Sequence, residues 1–65
     1  MFNKRLKELR KQKGYTQKEL ATLIGYDQSM VARWEKGESE PTASAIKNIS
    51  VLFDVSSDYL LGIED

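Results

Sequence analysis

Along residues 2–13 the apolar positions Phe2, Leu6 and Leu9 recur at intervals of four and three among charged neighbours. That spacing places them on one face of an amphipathic helix, which Gly14 closes. Downstream, one local pattern occurs four times: an apolar residue, a capping residue, and a second apolar residue four positions beyond the cap. It is read at Tyr15–Thr16–Leu20, Tyr26–Asp27–Val31, Pro41–Thr42–Ile46 and Val55–Ser56–Leu60. The cap side chain takes an otherwise unpaired amide of the first turn, and the flanking apolar pair staples the entering chain to the helix. Each such cap stabilises its helix by about 1 kcal/mol. The pattern predicts five helices, near 2–13, 17–24, 28–36, 43–53 and 57–61. No stretch alternates apolar and polar residues as a half-buried strand does, so the expected fold class is compact all-α.

The segment Thr16 to Gly37, TQKELATLIGYDQSMVARWEKG, carries the densest set of these signals. Thr16 and Glu19 form a capping box, and Gly25 supplies a left-handed end to the second helix at no Cβ cost. Asp27 is expected to cap the third helix. Two helices separated by so short a turn must pack at a steep angle, as in a helix-turn-helix, whose second helix enters DNA.

Charge sharpens this expectation. The net charge of the 65 residues is +0, but its distribution is uneven. Through residue 36 there are nine basic against four acidic residues; from residue 37 onward there is one basic against six acidic. The basic half contains the expected reading helix, and local field governs approach to phosphate more than the total does. For most of the lysines of the first helix the plainer reading is a solvated charged face.

Composition removes several function classes. There is no Cys and no His, hence no thiolate nucleophile, no Cys-based zinc site and no imidazole base or ligand. No phosphate-binding glycine motif is present, and no paired carboxylates are brought together by spacing. The expectation is a non-enzyme without cofactor, metal or evident small-molecule site. No apolar run reaches the roughly 20 residues of a membrane span, and a cytoplasmic chain is expected.

The third helix divides into two faces. Val31 and Trp34 share a face with Tyr26 and are expected in the core, whereas Gln28, Ser29, Ala32, Arg33 and Lys36 fall on the opposite side. Gln28 suits adenine N6 and N7, Arg33 suits guanine O6 and N7, and Ala32 suits a thymine methyl. Gln28, Ser29, Ala32 and Arg33 are therefore the candidate base contacts.

In order along the chain, LKELRKQKG, TQKELATLIGYDQSMVARWEKG and EPTASAIKNISVLFDVSSDYLLG resemble the phage-repressor type helix-turn-helix domain, the Cro/XRE-like group of bacterial and phage regulators. The resemblance runs from Phe2 to Gly62. It implies a five-helix, lambda-repressor-like domain spanning residues 1–65, with the helix-turn-helix near 16–37 and the third helix in the major groove. It further implies that Gln17 binds a phosphate and braces Gln28, and that Arg10 and Glu35 pair to join the first and third helices. Lys18, Lys36, Thr42 and Ser44 are further candidate phosphate contacts. One departure stands out: relatives often carry Lys or Arg after the third helix, where this chain has Glu38 and Glu40.

The expected function is sequence-specific binding of double-stranded DNA by a bacterial or phage repressor, acting as a homodimer on a palindromic operator. Val51, Leu52, Leu61 and Ile63 exceed what a one-sided core needs and form the candidate dimer patch. The alternative is an antitoxin-type regulator, or an interaction module of the same fold, whose main partner is a protein.

Overall fold

The computed structural model describes residues 1–63. Its elements are α1 (Phe2–Gln12), α2 (Gln17–Ile24), α3 (Gln28–Lys36), α4 (Ala43–Phe53) and α5 (Ser57–Leu61), with no strand among the described residues. Every helix contributes to one core. Leu6 comes from α1, Leu20, Ala21 and Ile24 from α2, Val31 and Trp34 from α3, Ile49 and Phe53 from α4, and Leu60 from α5. Trp34 is fully buried, with Phe2 and Tyr26 packed edge-on at ring-centroid distances of 6.5 and 5.2 Å. Edge-to-face packing suits the ring quadrupoles and fixes the rotation of α3 about its own axis.

Three of the four expected side-chain caps form. Thr16 Oγ1 accepts from the Glu19 amide at 3.0 Å while Glu19 Oε1 accepts from the Thr16 amide at 2.8 Å. Thr42 Oγ1 accepts from the Ala45 amide and Ser56 Oγ from the Tyr59 amide, at 3.1 and 3.0 Å. Asp27 departs from expectation. It occupies the cap position in extended backbone, but its side chain makes no cap hydrogen bond. The exposed carboxylate stays in water, and only the Asp27 carbonyl serves α3, accepting from the Met30 and Val31 amides. The staple around it does form, because Tyr26 is half-buried against the core and Val31 is fully buried.

The turn from α2 to α3 is closed from both sides. Gly25 adopts φ +80°, and its own N–H and that of Tyr26 return to the Thr22 and Ala21 carbonyls. The Asn48 amide of α4 donates to the Ile24 carbonyl at 3.0 Å, satisfying an acceptor left over at the end of α2. α5 is tied to α1 by Arg5, which donates to the Tyr59 carbonyl and lies 4.3 Å over the Tyr59 ring.

Candidate nucleic-acid interface

Burial of Val31 and Trp34 decides what α3 presents to solvent. Gln28, Ser29, Arg33 and Lys36 are exposed, and Ala32 is half-buried at the edge between that surface and the core. The exposed set covers the first and last turns of a nine-residue helix, so it offers amide, hydroxyl and guanidinium groups along one side. Arg33 and Lys36 lie in the last turn, where positive charge is favoured by the helix dipole.

Gln17, Lys18 and Glu19 form the first turn of α2. The capping box takes up the Thr16 and Glu19 amides, leaving the main-chain N–H groups of Gln17 and Lys18 unpaired among the described residues. Lys18 is exposed. Open amides at the positive end of a helix are suited to an anion. The Gln17 side chain is half-buried and its amide donates to Glu35 Oε1 at 3.1 Å. Among the described residues the Gln17 amide is held by Glu35, and its second N–H and its carbonyl are left over from that bond.

Arg10 and Glu35 form a bidentate ion pair, with Nε to Oε2 at 2.6 Å and Nη2 to Oε1 at 3.0 Å. Their side chains are only 12% and 4% exposed. A third Arg10 hydrogen bond, from Nη1 to the Tyr15 carbonyl at 2.9 Å, extends the link to the entrance of α2. The guanidinium pKa is raised above its usual value, chiefly by the hydrogen bond to Glu35; burial opposes the shift and the Coulomb attraction to Glu35 adds to it.

The remaining candidates are more dispersed. Thr42 Oγ1 is already engaged by the Ala45 amide and by the Tyr26 hydroxyl at 3.1 Å, while Ser44 is exposed in the first turn of α4. Glu38 and Glu40 are exposed in the loop between α3 and α4. Val51, Leu61 and Ile63 are 73%, 47% and 71% exposed, but Leu52 is half-buried against the core. Three of the four are divided between two hollows. Leu61 borders a hollow with Phe2, Trp34 and Pro41, whereas Val51 and Leu52 border another with Leu23 and Lys47. Leu23, 53% exposed, is an apolar surface residue that sequence reasoning missed. Its only sequence signal is that it falls off the Leu20–Ala21–Ile24 stripe that faces the core. Among the described residues no cluster of carboxylates could hold a metal ion, and no helix is long and apolar enough to cross a membrane.

Comparison with known proteins agrees with this geometry. The helix-turn-helix family model matches residues 6–60. The chain is 39% identical over 64 residues to the HTH-type transcriptional regulator ImmR of Bacillus subtilis, covering 98% of this chain and 50% of that protein. It spans about half the length of the first curated relatives it matches. Among solved structures, the P22 c2 repressor bound to a synthetic operator superposes with a TM-score of 0.88 at 27% identity, covering 92% of this chain and 91% of that one. The biofilm regulator SinR bound to DNA superposes with a TM-score of 0.86 at 34% identity, covering 94% and 98% respectively.

Proposed function

The chain belongs to the helix-turn-helix family of Cro/C1-type domains, and from that premise we propose that it is a sequence-specific DNA-binding transcriptional regulator. One observation carries the reading: α3 buries Val31 and Trp34 and turns Gln28, Ser29 and Arg33 outward together. Gln28 and Arg33 read adenine and guanine edges in the major groove, Ser29 takes either base type, and Ala32 lies against a thymine methyl. Gln17, Lys18, Lys36, Thr42 and Ser44 meet the phosphate backbone, with the open amides of α2 facing an anion. Residues 1–65 act as one DNA-binding domain in the cytoplasm, by binding and not by catalysis.

A single domain makes few base contacts, so operator binding is by a homodimer on a palindrome, with Leu61 and Ile63 at its interface and repression by occupancy as the outcome. Selection from a random DNA pool returns the site and its symmetry. On that site Gln28→Ala and Arg33→Ala each cost about 1–3 kcal/mol and little on random DNA, whereas Gln17→Ala weakens both nearly equally. Equal losses on both DNAs for all three variants overturn the reading face.

A further inference from the structure

Glu35 sits in the last turn of α3, yet it is tied to the start of α2. Its buried carboxylate accepts from Arg10 Nε and Nη2 and from Gln17 Nε2. A carboxylate is an acceptor only, so it takes the nitrogen edge of the Gln17 amide and rejects the flipped form, which would set two oxygens against each other. Neither carboxylate oxygen is free to move away, because the Arg10 fork holds both and is itself held by the Tyr15 carbonyl.

We propose that Glu35 is a positioning residue for DNA binding: it locks the Gln17 amide in one orientation before DNA arrives. This rests on the DNA-binding reading above. With one N–H committed inward, the second N–H and the carbonyl of Gln17 are presented in a fixed direction beside the open main-chain amides of Gln17 and Lys18. An unrestrained glutamine would have to surrender its rotamer freedom when it met a phosphate. Having surrendered it already on folding, Gln17 contributes about a tenfold larger share of affinity. The ion pair therefore acts on the operator through Gln17, and not only on the stability of the fold.

The test uses the 65-residue chain on its selected operator, with affinity read by fluorescence anisotropy. The variants are Gln17→Ala, the apolar exchange Arg10→Met with Glu35→Leu, and the combination of all three. The apolar exchange leaves no buried charge behind, and the fluorescence of Trp34 shows whether each variant is folded. Gln17→Ala and the apolar exchange are each expected to weaken binding about tenfold, and the combination to be no weaker than either. Gln28→Ala is expected to cost the same factor in both backgrounds, showing that α3 has not shifted. Arg10→Lys keeps the charge but not the two-point fork; it is expected to lower both the melting temperature and the affinity, and its affinity loss to vanish in the Gln17→Ala background. Multiplying losses, an unchanged affinity for Gln17→Ala or for the apolar exchange, a changed Gln28→Ala factor, or an Arg10→Lys affinity loss that persists in the Gln17→Ala background each overturn the positioning role. If the apolar exchange does not fold, Arg10→Lys and Gln17→Ala decide by the same criteria. Failure of the unmodified chain to select any DNA site overturns the DNA-binding reading instead.

Discussion

Removing either partner of the Arg10–Glu35 pair destabilises the fold, and the structure makes the two losses unequal. In Arg10→Ala the Glu35 side chain, 4% exposed, keeps Gln17 as its one remaining donor and has no short route to water. An uncompensated buried charge of this kind costs about 3–5 kcal/mol. The Tyr15 carbonyl also loses its Arg10 donor. In Glu35→Ala the longer Arg10, 12% exposed and still bonded to Tyr15, can turn its guanidinium toward solvent, so the expected cost is lower, about 2–3 kcal/mol. At roughly 0.05–0.15 kcal/mol per residue, the fold as a whole is worth about 3–10 kcal/mol. Arg10→Ala therefore brings the chain close to unfolding at room temperature. Arg10→Ala with Glu35→Ala leaves no orphan charge and is less harmful than the two singles added together.

Urea melts followed by the fluorescence of Trp34, which is fully buried and the chain's one tryptophan, measure all three. The guanidinium pKa is raised above its ordinary value, chiefly by the hydrogen bond to Glu35. Its stabilisation is complete below the unfolded value and is lost only as pH rises through the folded one, so the Arg10→Ala cost is flat across neutral pH. A cost under 1 kcal/mol for Arg10→Ala, or strict additivity of the singles, would mean that Arg10 and Glu35 do not meet as a buried pair.

Asp54 ends α4 at φ +54° and ψ +47°, holding a negative side chain at the negative end of the helix dipole. Asp54→Asn is expected to gain about 0.3–1 kcal/mol from the dipole alone, and Asp54→Gly at least as much through relief of the left-handed backbone; thermal melts in which both lower stability refute this. Replacing Glu38 and Glu40 by Lys is expected to tighten DNA binding and to steepen the log–log salt slope by about 0.9 for each phosphate gained, and an unchanged slope would place the loop away from the backbone. The selected site is expected to be a palindrome with half-sites about 10 base pairs apart. Leu61→Asp should weaken binding to the palindrome and spare a single half-site; an asymmetric site with no effect of the variant on affinity or on sedimentation mass contradicts the dimer.

Much of this protein is decided by interactions within four residues of one another. The apolar–cap–apolar pattern at Tyr15–Thr16–Leu20, Pro41–Thr42–Ile46 and Val55–Ser56–Leu60 starts α2, α4 and α5 where the sequence places them, because cap and amide are three residues apart and need no tertiary partner. Val31 and Trp34 are legible as core from helical periodicity, and the exposure of Gln28, Ser29 and Arg33 follows from the same geometry. Even here a local signal is not sufficient. Asp27 has the right residue type, yet its exposed side chain makes no cap hydrogen bond.

What tertiary structure alone decides are contacts between groups far apart in sequence. Asn48 reaches a carbonyl 24 residues away, Gln17 a carboxylate 18 residues away, and Arg5 a carbonyl 54 residues away. No periodicity encodes these pairings, because each depends on how helices cross after the core has formed. The surface apolar residues behave likewise. Val51 and Leu61 look alike in sequence, but packing of α4 against α2 and of α5 against α1 directs them into different hollows. Local chain geometry determines which residues a helix turns outward; the crossing of helices determines which of those residues become neighbours.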